Sequence, residues 1–176
     1  MNVILNSSWR RSSIVSLMYP GDLATSHPKK PAVIMAKTGE VITYAELHER
    51  ASRLCNVLLA AGLRRGDHVA FCMENHPRFL EVVWGCHYAG LVYTACSSRL
   101  TSEELTYIIG DCEAKAYITS SYKSAQAQDI HETCPQLSLK LMIDGVVTGY
   151  GSYEDSLANS SPVPPSNMLD GIDMLY

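Results

Sequence analysis

The sequence predicts an α/β fold in which a mainly parallel sheet is flanked by helices, with a small hairpin near the amino terminus. Apolar runs without alternation, such as residues 69–73, 91–96 and 114–119, are typical of strands covered on both faces. Helical patterns that begin with capping boxes stand between these runs. The connections are short, so strand and helix alternate as they do in a parallel sheet.

The composition is that of a globular domain. The chain has 176 residues, of which 47% are hydrophobic and 18% are charged, which excludes a disordered or collagen-like chain. The formal net charge is −4, and the sequence has no basic cluster that could form a positively charged surface for a phosphate backbone. Nucleic acid is therefore not an expected partner. No apolar run reaches the ~18 residues of a transmembrane helix, so no membrane span is expected.

Six cysteines lie along the chain without a C-x-x-C motif. Four of them fall in segments that are predicted to be buried. Buried cysteines without metal-binding or disulfide-type spacing are typical of reduced core thiols, so a cytoplasmic location is expected.

The first elements precede the sheet. Residues 1–18 show no sustained period and are predicted to be an irregular amino-terminal extension. A short helix is expected from Pro20 to about Ser26, because proline is tolerated in the first helical turn. Two apolar segments, 31–36 and 41–42, flank a glycine turn and predict a β-hairpin.

The next helix is specified at both ends. Thr43-Tyr44-Ala45-Glu46 forms a capping box, in which the hydroxyl and the carboxylate each bond the other residue's amide. Gly62 supplies the left-handed stop. The apolar residues between them recur at helical spacing: Leu47, Ala51, Leu54, Leu58 and Ala61.

The same pattern repeats along the rest of the chain. Strand 69–73 is followed by a helix that we expect Glu74-Asn75-His76-Pro77 to open, with Asn75 or His76 as its cap. The predicted buried stripe of this helix consists of Leu80, Val83, Trp84 and His87, and Gly90 is expected to end the helix. After strand 91–96, a capping box at Thr101 opens a helix that Gly110 would end. The further predictions are a strand at 114–119, a helix at 124–132, a strand at 139–143, a helical turn at 153–157 and a linker at 158–169.

Two polar clusters follow predicted strands, where a parallel sheet presents its ligands. Glu74, Asn75 and His76 follow the first covered strand, and Ser98 and Arg99 follow the second. Each cluster could hold an anion such as a carboxylate or a phosphate. The alternatives are a helix cap for the first cluster and a solvated connection for the second.

The residues by themselves show no catalytic constellation. The sequence has no G-x-S-x-G elbow, no G-x-G-x-x-G fingerprint and no metal-ligand spacing. Cys86 and His87 are adjacent, but neighbours on a helix point about 100° apart, so a core cysteine and a half-buried histidine are expected. We therefore assign no catalytic residue, no cofactor-binding residue and no metal ligand.

Six segments stand in a specific order along the chain: 41–47, 62–70, 74–77, 89–93, 99–105 and 111–115. In this order they resemble the amino-terminal region of the adenylate-forming (AMP-binding) superfamily, and within it the fatty-acyl-CoA synthetases are most similar. The resemblance covers about residues 15–176. Ser98 departs from it, since many members have an Asn-Pro or similar pair before the Arg-Leu-Thr.

The resemblance implies a function and an organisation. It implies activation of a carboxylic acid by ATP and Mg²⁺ to an acyl-adenylate, followed by transfer to coenzyme A. It also implies an incomplete amino-terminal part of an adenylate-forming domain, with an α/β subdomain at 19–157 and, at 170–176, the start of the strand that leads to a phosphate loop. The loop and the later motifs of the family have no counterpart in these residues, so the chain alone is expected to bind no cofactor and to be inactive.

Further expectations and alternatives follow. An unpaired strand at the edge of the sheet would favour self-association. A non-catalytic, flavodoxin-like binding module is one alternative function. An adenylation domain with another acceptor, such as a carrier protein or the oxygen of a luciferase-like reaction, is the other.

Overall fold

A computed structural model describes residues 19–166, 168 and 170–176. The predicted extension 1–18 lies outside the described residues. The helices are α1 Pro20–Ser26, α2 Tyr44–Ala60, α3 Phe79–Tyr88, α4 Ser102–Asp111, α5 Ser124–Thr133 and α6 Tyr153–Ala158. The strands are β1 Pro31–Ile34, β2 Val41–Thr43, β3 His68–Cys72, β4 Val92–Cys96, β5 Ala114–Ser120, β6 Leu139–Ile143, β7 Gly151–Ser152 and β8 Ile172–Met174.

The strands form two sheets, and the predicted fold class is confirmed. Strands β1 and β2 pair antiparallel as the expected hairpin. The other six lie in the order β7-β6-β5-β3-β4-β8, and every neighbouring pair is parallel. Helices connect the successive strands of the large sheet except β6 and β7, which are joined by the turns of residues 144–150.

Both faces of the large sheet are covered. Along β3, Val69 and Phe71 belong to the core beneath α2, α3 and α6, whereas Ala70 and Cys72 belong to the core beneath α4 and α5. A strand buried on both sides has no polar alternation, which explains the continuous apolar runs in the sequence. All six cysteines are buried and unpaired, as expected of core thiols.

Helix α2 begins and ends as predicted. The Thr43 hydroxyl accepts a hydrogen bond from the Glu46 amide at 3.3 Å, and the Glu46 carboxylate accepts one from the Thr43 amide at 2.8 Å. At the other end Gly62 has φ +95°, and the Leu63 amide donates to the Leu58 carbonyl. These bonds satisfy groups that a helix end otherwise leaves without partners.

This cap makes part of the stability depend on pH. Hydrogen bonds from Thr43 lower the pKa of Glu46 below its ordinary value. A carboxylate whose pKa is lower in the folded state stabilises the protein above its unfolded pKa of about 4.3, and the contribution is lost as pH falls through the lower folded value. We expect Thr43→Ala to lower the free energy of unfolding by about 1 kcal/mol at pH 7.

Urea denaturation at pH 7 measures the loss in Thr43→Ala. The pH dependence is measured by urea denaturation of the wild type and of Glu46→Gln, at pH 7 and at a pH well below 4. The difference in stability between them should shrink at the acid pH, because the protonated Glu46 no longer accepts a charge-assisted bond. Glu132→Gln is the control, since Glu132 is exposed on α5 and lies outside the capping box. A difference that does not change with pH would contradict the role assigned to the carboxylate.

The start of α3 was predicted wrongly. The helix begins at Phe79, not at residues 74–77, and Arg78 occupies the cap position without a side-chain bond to the helix. Neither Asn75 nor His76 caps it, because the His76 ring instead bonds the Arg78 amide and Asp144. Of the predicted stripe only Val83 is buried.

The buried side of α3 includes a charged residue. Glu81, Val82, Gly85 and Cys86 are buried together with Val83, whereas Leu80, Trp84 and His87 are half-buried. The apolar pattern therefore predicted a face that is rotated from the observed one. The difference arises because Glu81 is buried and pairs with Arg50 and Arg78.

The end of α4 also differs from the prediction. The capping box at Thr101 is confirmed, but Gly110 lies inside the helix, which ends at Asp111. Glu113 takes the left-handed conformation with φ +51°, and its amide donates to the Gly110 carbonyl. Cys112, the cap residue directly after the helix, is buried in the core beneath α4 and α5.

The predicted linker contacts helix α2. Arg53 donates to the carbonyls of Leu157 and Ser160, and Asn56 donates to those of Ser161 and Val163. These bonds direct the chain toward β8, which pairs with β4. The division of the chain at residues 157 and 169 stays a prediction. Within the described part of the chain, no helix combines the length and apolarity needed to cross a bilayer.

Candidate functional site

The strand order creates a switch point at the carboxyl ends of β3 and β5. From β3 the chain moves to β4 on one side, and it then returns to the other side of β3 for β5, β6 and β7. Apart from β8, this is the doubly wound order of flavodoxin-like sheets. Crossovers that leave in opposite directions open a crevice above the two strands, where such sheets bind ligands.

Glu74 stands at this crevice, directly beyond β3. Its carboxylate accepts a 2.5 Å hydrogen bond from the hydroxyl of Ser120, the last residue of β5. Ser120 is buried and Glu74 is half-buried. The bond joins the ends of the two strands that diverge at the switch point.

His76 is held from two sides. Its Nδ1 accepts from the Arg78 amide at 3.1 Å, and its Nε2 lies 3.0 Å from the Asp144 carboxylate beyond β6. Because an amide N–H donates to Nδ1, the ring proton must be on Nε2, where it is donated to Asp144. Asp144 itself has φ +59°, and its amide donates to Glu154. Both ring nitrogens of His76 are therefore engaged by protein groups.

The second predicted cluster meets a buried lysine. The Lys123 ammonium donates to the Ser98 carbonyl at 2.9 Å, and Lys123 is only 3% exposed. Arg99 is exposed, and its amide donates to the Ser97 hydroxyl. Lys123 therefore joins the β4–α4 connection to the end of β5, and the Arg99 side chain is left facing solvent.

The thiols near this edge are poor nucleophiles. Burial raises the pKa of Cys72, and the Lys123 charge only partly offsets that effect. Burial also raises the pKa of Cys96 to about 12. A thiol in that range stays protonated near neutral pH, and the thiolate is the reactive form.

The arrangement supports binding or structural roles and shows no catalytic machinery. Among residues 19–166, 168 and 170–176 no group of three or more His, Cys, Asp or Glu side chains could hold a metal ion. Asn75 and His76 line a shallow groove of about 210 Å³ together with Met35 and Phe79. Asn75 and Arg99 are the exposed members of the two predicted clusters.

The structure thus places all five predicted residues at one edge of the sheet. Glu74 bonds the end of β5 and His76 bonds Asp144 beyond β6, whereas Ser98 is joined to the same edge through Lys123 and Arg99 follows it in the exposed connection. Sequence reasoning missed Ser120, Lys123 and Asp144. A signal existed for Ser120, because Ser120-Ser121 follows the predicted strand 114–119 just as Ser97-Ser98 follows the predicted strand 91–96.

Comparisons with known proteins agree with the resemblance. The chain is 33% identical over 144 residues to "Long-chain fatty acid transport protein 6" of Mus musculus, an alignment that covers 80% of this chain and 23% of that protein. It is 35% identical over 125 residues to "Crotonobetaine/carnitine--CoA ligase" of Proteus mirabilis (strain HI4320), covering 67% and 24% respectively. A "Feruloyl-CoA synthase" of Amycolatopsis sp is 44% identical over 80 residues, covering 46% and 16%.

The fold has close counterparts among solved structures. "Mycobacterium tuberculosis fatty acyl CoA synthetase" superimposes with a TM-score of 0.77 at 23% identity, covering 89% of this chain and 31% of that one. The anthranilate CoA ligase AuaEII, solved with anthranoyl-AMP, gives 0.75 at 20% identity, covering 87% and 32%. At these identities the likeness establishes the fold alone.

The matched relatives are much longer than this chain. The chain spans between 16% and 24% of the three relatives' own lengths. The sequence model of the family described as "AMP-binding enzyme" matches residues 22–176, which is most of this chain. The chain therefore belongs to the AMP-binding enzyme family.

Proposed function

We propose that this chain is the amino-terminal part of an acid–CoA ligase. Such an enzyme joins a carboxylic acid to the AMP moiety of ATP in the presence of Mg²⁺, releases pyrophosphate, and transfers the acyl group from the adenylate to the thiol of coenzyme A. The family match over residues 22–176 is the observation that carries the proposal. The relatives named as CoA ligases or synthases support it.

We further propose that the acid is a fatty acid. The support is the relative named for long-chain fatty acid transport, which aligns with 80% of this chain. The feruloyl and crotonobetaine relatives point to other carboxylic acids. The family match favours a ligase over the flavodoxin-like module, although the strand order resembles that of flavodoxin. The six unpaired thiols support a cytoplasmic location.

The described residues supply a scaffold for this reaction and do not supply its charge-neutralising groups. Adenylate formation requires two anionic substrates to be held together while negative charge develops on the phosphate. The sequence contains no glycine-rich loop followed by lysine, and Lys123 is already bonded to Ser98. The residues present do not fit a nucleotide or Mg²⁺ site, so no step is assigned to any of them.

We therefore expect the 176-residue polypeptide to be inactive by itself. The test is exchange of labelled pyrophosphate into ATP in the presence of Mg²⁺ and a panel of fatty acids. Exchange should not exceed that of a sample without protein. Exchange clearly above that background would contradict the assignment of the chemistry to residues outside this chain.

A chimera tests the parent function separately. Residues 22–176 would replace the matching part of the Proteus mirabilis ligase, and circular dichroism would verify that the product folds. We expect the chimera to form acyl-CoA, with its ratio of activity on palmitate to activity on crotonobetaine raised over that of the parent. A folded chimera without activity would overturn the proposed ligase function, and an unchanged ratio would overturn the fatty-acid assignment.

A further inference from the structure

Lys123 is a buried cation in a position that local structure disfavours. It is 3% exposed, and it occupies the amino-terminal cap position of α5 without a side-chain bond to that helix. Burial penalises a charged group, and the dipole of a helix repels a positive charge at its amino terminus. Residues that break such local rules are typical of functional sites. The contacts of its ammonium group therefore indicate what Lys123 does.

The Lys123 side chain crosses the end of the central strand β3. Lys123 follows β5, and its ammonium group donates to the Ser98 carbonyl beyond β4 at 2.9 Å. In the sheet β3 lies between these two strands, so β4 and β5 do not pair with each other. Burial raises the pKa of Cys72, the last residue of β3, and the nearby Lys123 charge lowers it. Lys123 therefore joins two connections that no strand pairing holds together.

The carbonyl that Lys123 bonds belongs to a β-turn. Residues 97–100 form this turn, since the Leu100 amide donates to the Ser97 carbonyl at 3.2 Å. The Cys72 thiol also donates to the Ser97 carbonyl, at 3.5 Å. The turn is therefore held by one bond from β3 and one from Lys123, and both bonds are made to main-chain carbonyl groups.

We propose that Lys123 is a positioning residue, which holds the turn 97–100 over the end of β3 and so fixes the shape of the switch-point crevice beside it. The consequence for substrates rests on the proposed ligase function. A loop that must be ordered on binding weakens affinity, so a turn that is already fixed favours the binding of substrate. Lys123 acts through the main chain of the turn, so its loss should raise KM and leave kcat nearly unchanged.

Proline at position 98 offers a second way to fix the same turn. Position 98 is the second residue of the turn, where proline is favoured because its φ angle is already that of the turn. Among the described residues no main-chain hydrogen bond uses the Ser98 amide, so proline removes none. Ser98→Pro should therefore restore the turn in a variant that lacks the Lys123 ammonium group.

Hydrogen exchange of the 176-residue chain tests the positioning role. The Leu100 amide is the reporter, because its bond closes the turn. In Lys123→Met this amide should exchange about tenfold faster, because a charge-assisted bond to the turn is lost. Adding Ser98→Pro should return the rate toward that of the wild type. The Asp67 amide, which closes a turn before β3 at the opposite edge of the sheet, is the internal control. Lys115→Met is the control variant, since Lys115 is an exposed lysine that bonds Asp67.

Two outcomes of the exchange experiment would overturn the positioning role. One is an unchanged rate at the Leu100 amide in Lys123→Met, with circular dichroism showing that the variant is folded. The other is a faster rate that Ser98→Pro does not reverse, since the turn would then not be what Lys123 fixes. Neither outcome depends on ATP, acid or coenzyme A.

Kinetics of the chimera with the Proteus mirabilis ligase test the consequence for substrates. Lys123→Met in the chimera should raise the KM for ATP or for the acid by about fivefold, with kcat changed by less than about twofold, and Ser98→Pro should reverse the rise. An active chimera in which both KM values stay unchanged, or in which kcat alone falls, would overturn the role in substrate binding. A chimera that is inactive with Lys123 in place would overturn the ligase function instead, and the exchange experiment would still decide the positioning role.

Discussion

Replacing Arg50 with alanine should lower the free energy of unfolding by about 3 kcal/mol. Arg50 lies on α2, and its Nε is 2.6 Å from the carboxylate of Glu81, whose side chain is completely buried. Arg78 contacts the same carboxylate at 3.0 Å, and the Tyr153 hydroxyl donates to it. The network joins helices α2, α3 and α6.

The expected loss of stability in Arg50→Ala arises from the Glu81 carboxylate, which keeps its buried position without this partner. Without Arg50, Glu81 loses a counter-charge in a place that water cannot reach, whereas the arginine side chains are partly exposed. Burial alone would lower the pKa of Arg50, but the charge of Glu81, the hydrogen bond to it and the nearby Tyr153 and Glu154 together outweigh burial, and the pKa lies above its ordinary value. Arg50 therefore keeps its positive charge in the folded protein.

Urea denaturation of three variants measures this effect. Glu81→Leu in the Arg50→Ala background should recover part of the lost stability, because it removes the unpaired buried carboxylate. Lys115→Ala breaks an ion pair with Asp67 in which the lysine is exposed, and it should cost less than about 1 kcal/mol. If the double variant is less stable than Arg50→Ala, the buried charge is not the cause of the loss.

Replacing Gly149 with alanine should lower the free energy of unfolding by about 2–4 kcal/mol, for two separate reasons. The residue has φ +85°, where a side chain is strained. A Cβ atom there would also lie 2.3 Å from the ring of His131 on α5, far inside van der Waals contact. Because the Nδ1 atom of His131 is buried, we expect the surrounding core to resist movement of the ring.

A second glycine separates the two contributions. Gly66 has φ +84°, almost the same conformation, but nothing lies within 4 Å of a Cβ built on it. Gly66→Ala should therefore cost only the backbone strain, about 1–2 kcal/mol. Gly149→Ala should lower the free energy of unfolding less in the His131→Ala background than in the wild type, because the ring that the new Cβ meets is then absent. Equal losses for the two glycine variants, measured by thermal denaturation, would show that the ring contact is unimportant.

The candidate site was only partly predictable. The positions of Glu74, His76, Ser98 and Arg99 after covered strands correctly indicated one edge of a parallel sheet. Their partners did not follow from the pattern, because Ser120 and Asp144 lie 46 and 68 residues away along the chain. The helix cap expected from Asn75 or His76 failed for the same reason, since His76 bonds a residue that sequence proximity does not bring near.

The sequence by itself determined the local elements: the capping boxes at Thr43 and Thr101, the glycine stop at Gly62, the covered strands and thereby the α/β class. Each of these signals acts among residues within one or two turns, so the order of the side chains suffices to specify it. The tertiary structure alone decided the strand order, the crevice between β3 and β5, and the burial of Glu81 against Arg50 and Tyr153. Those features depend on which distant segments pack together, and the free energy of a buried charge is set by partners that no local pattern encodes.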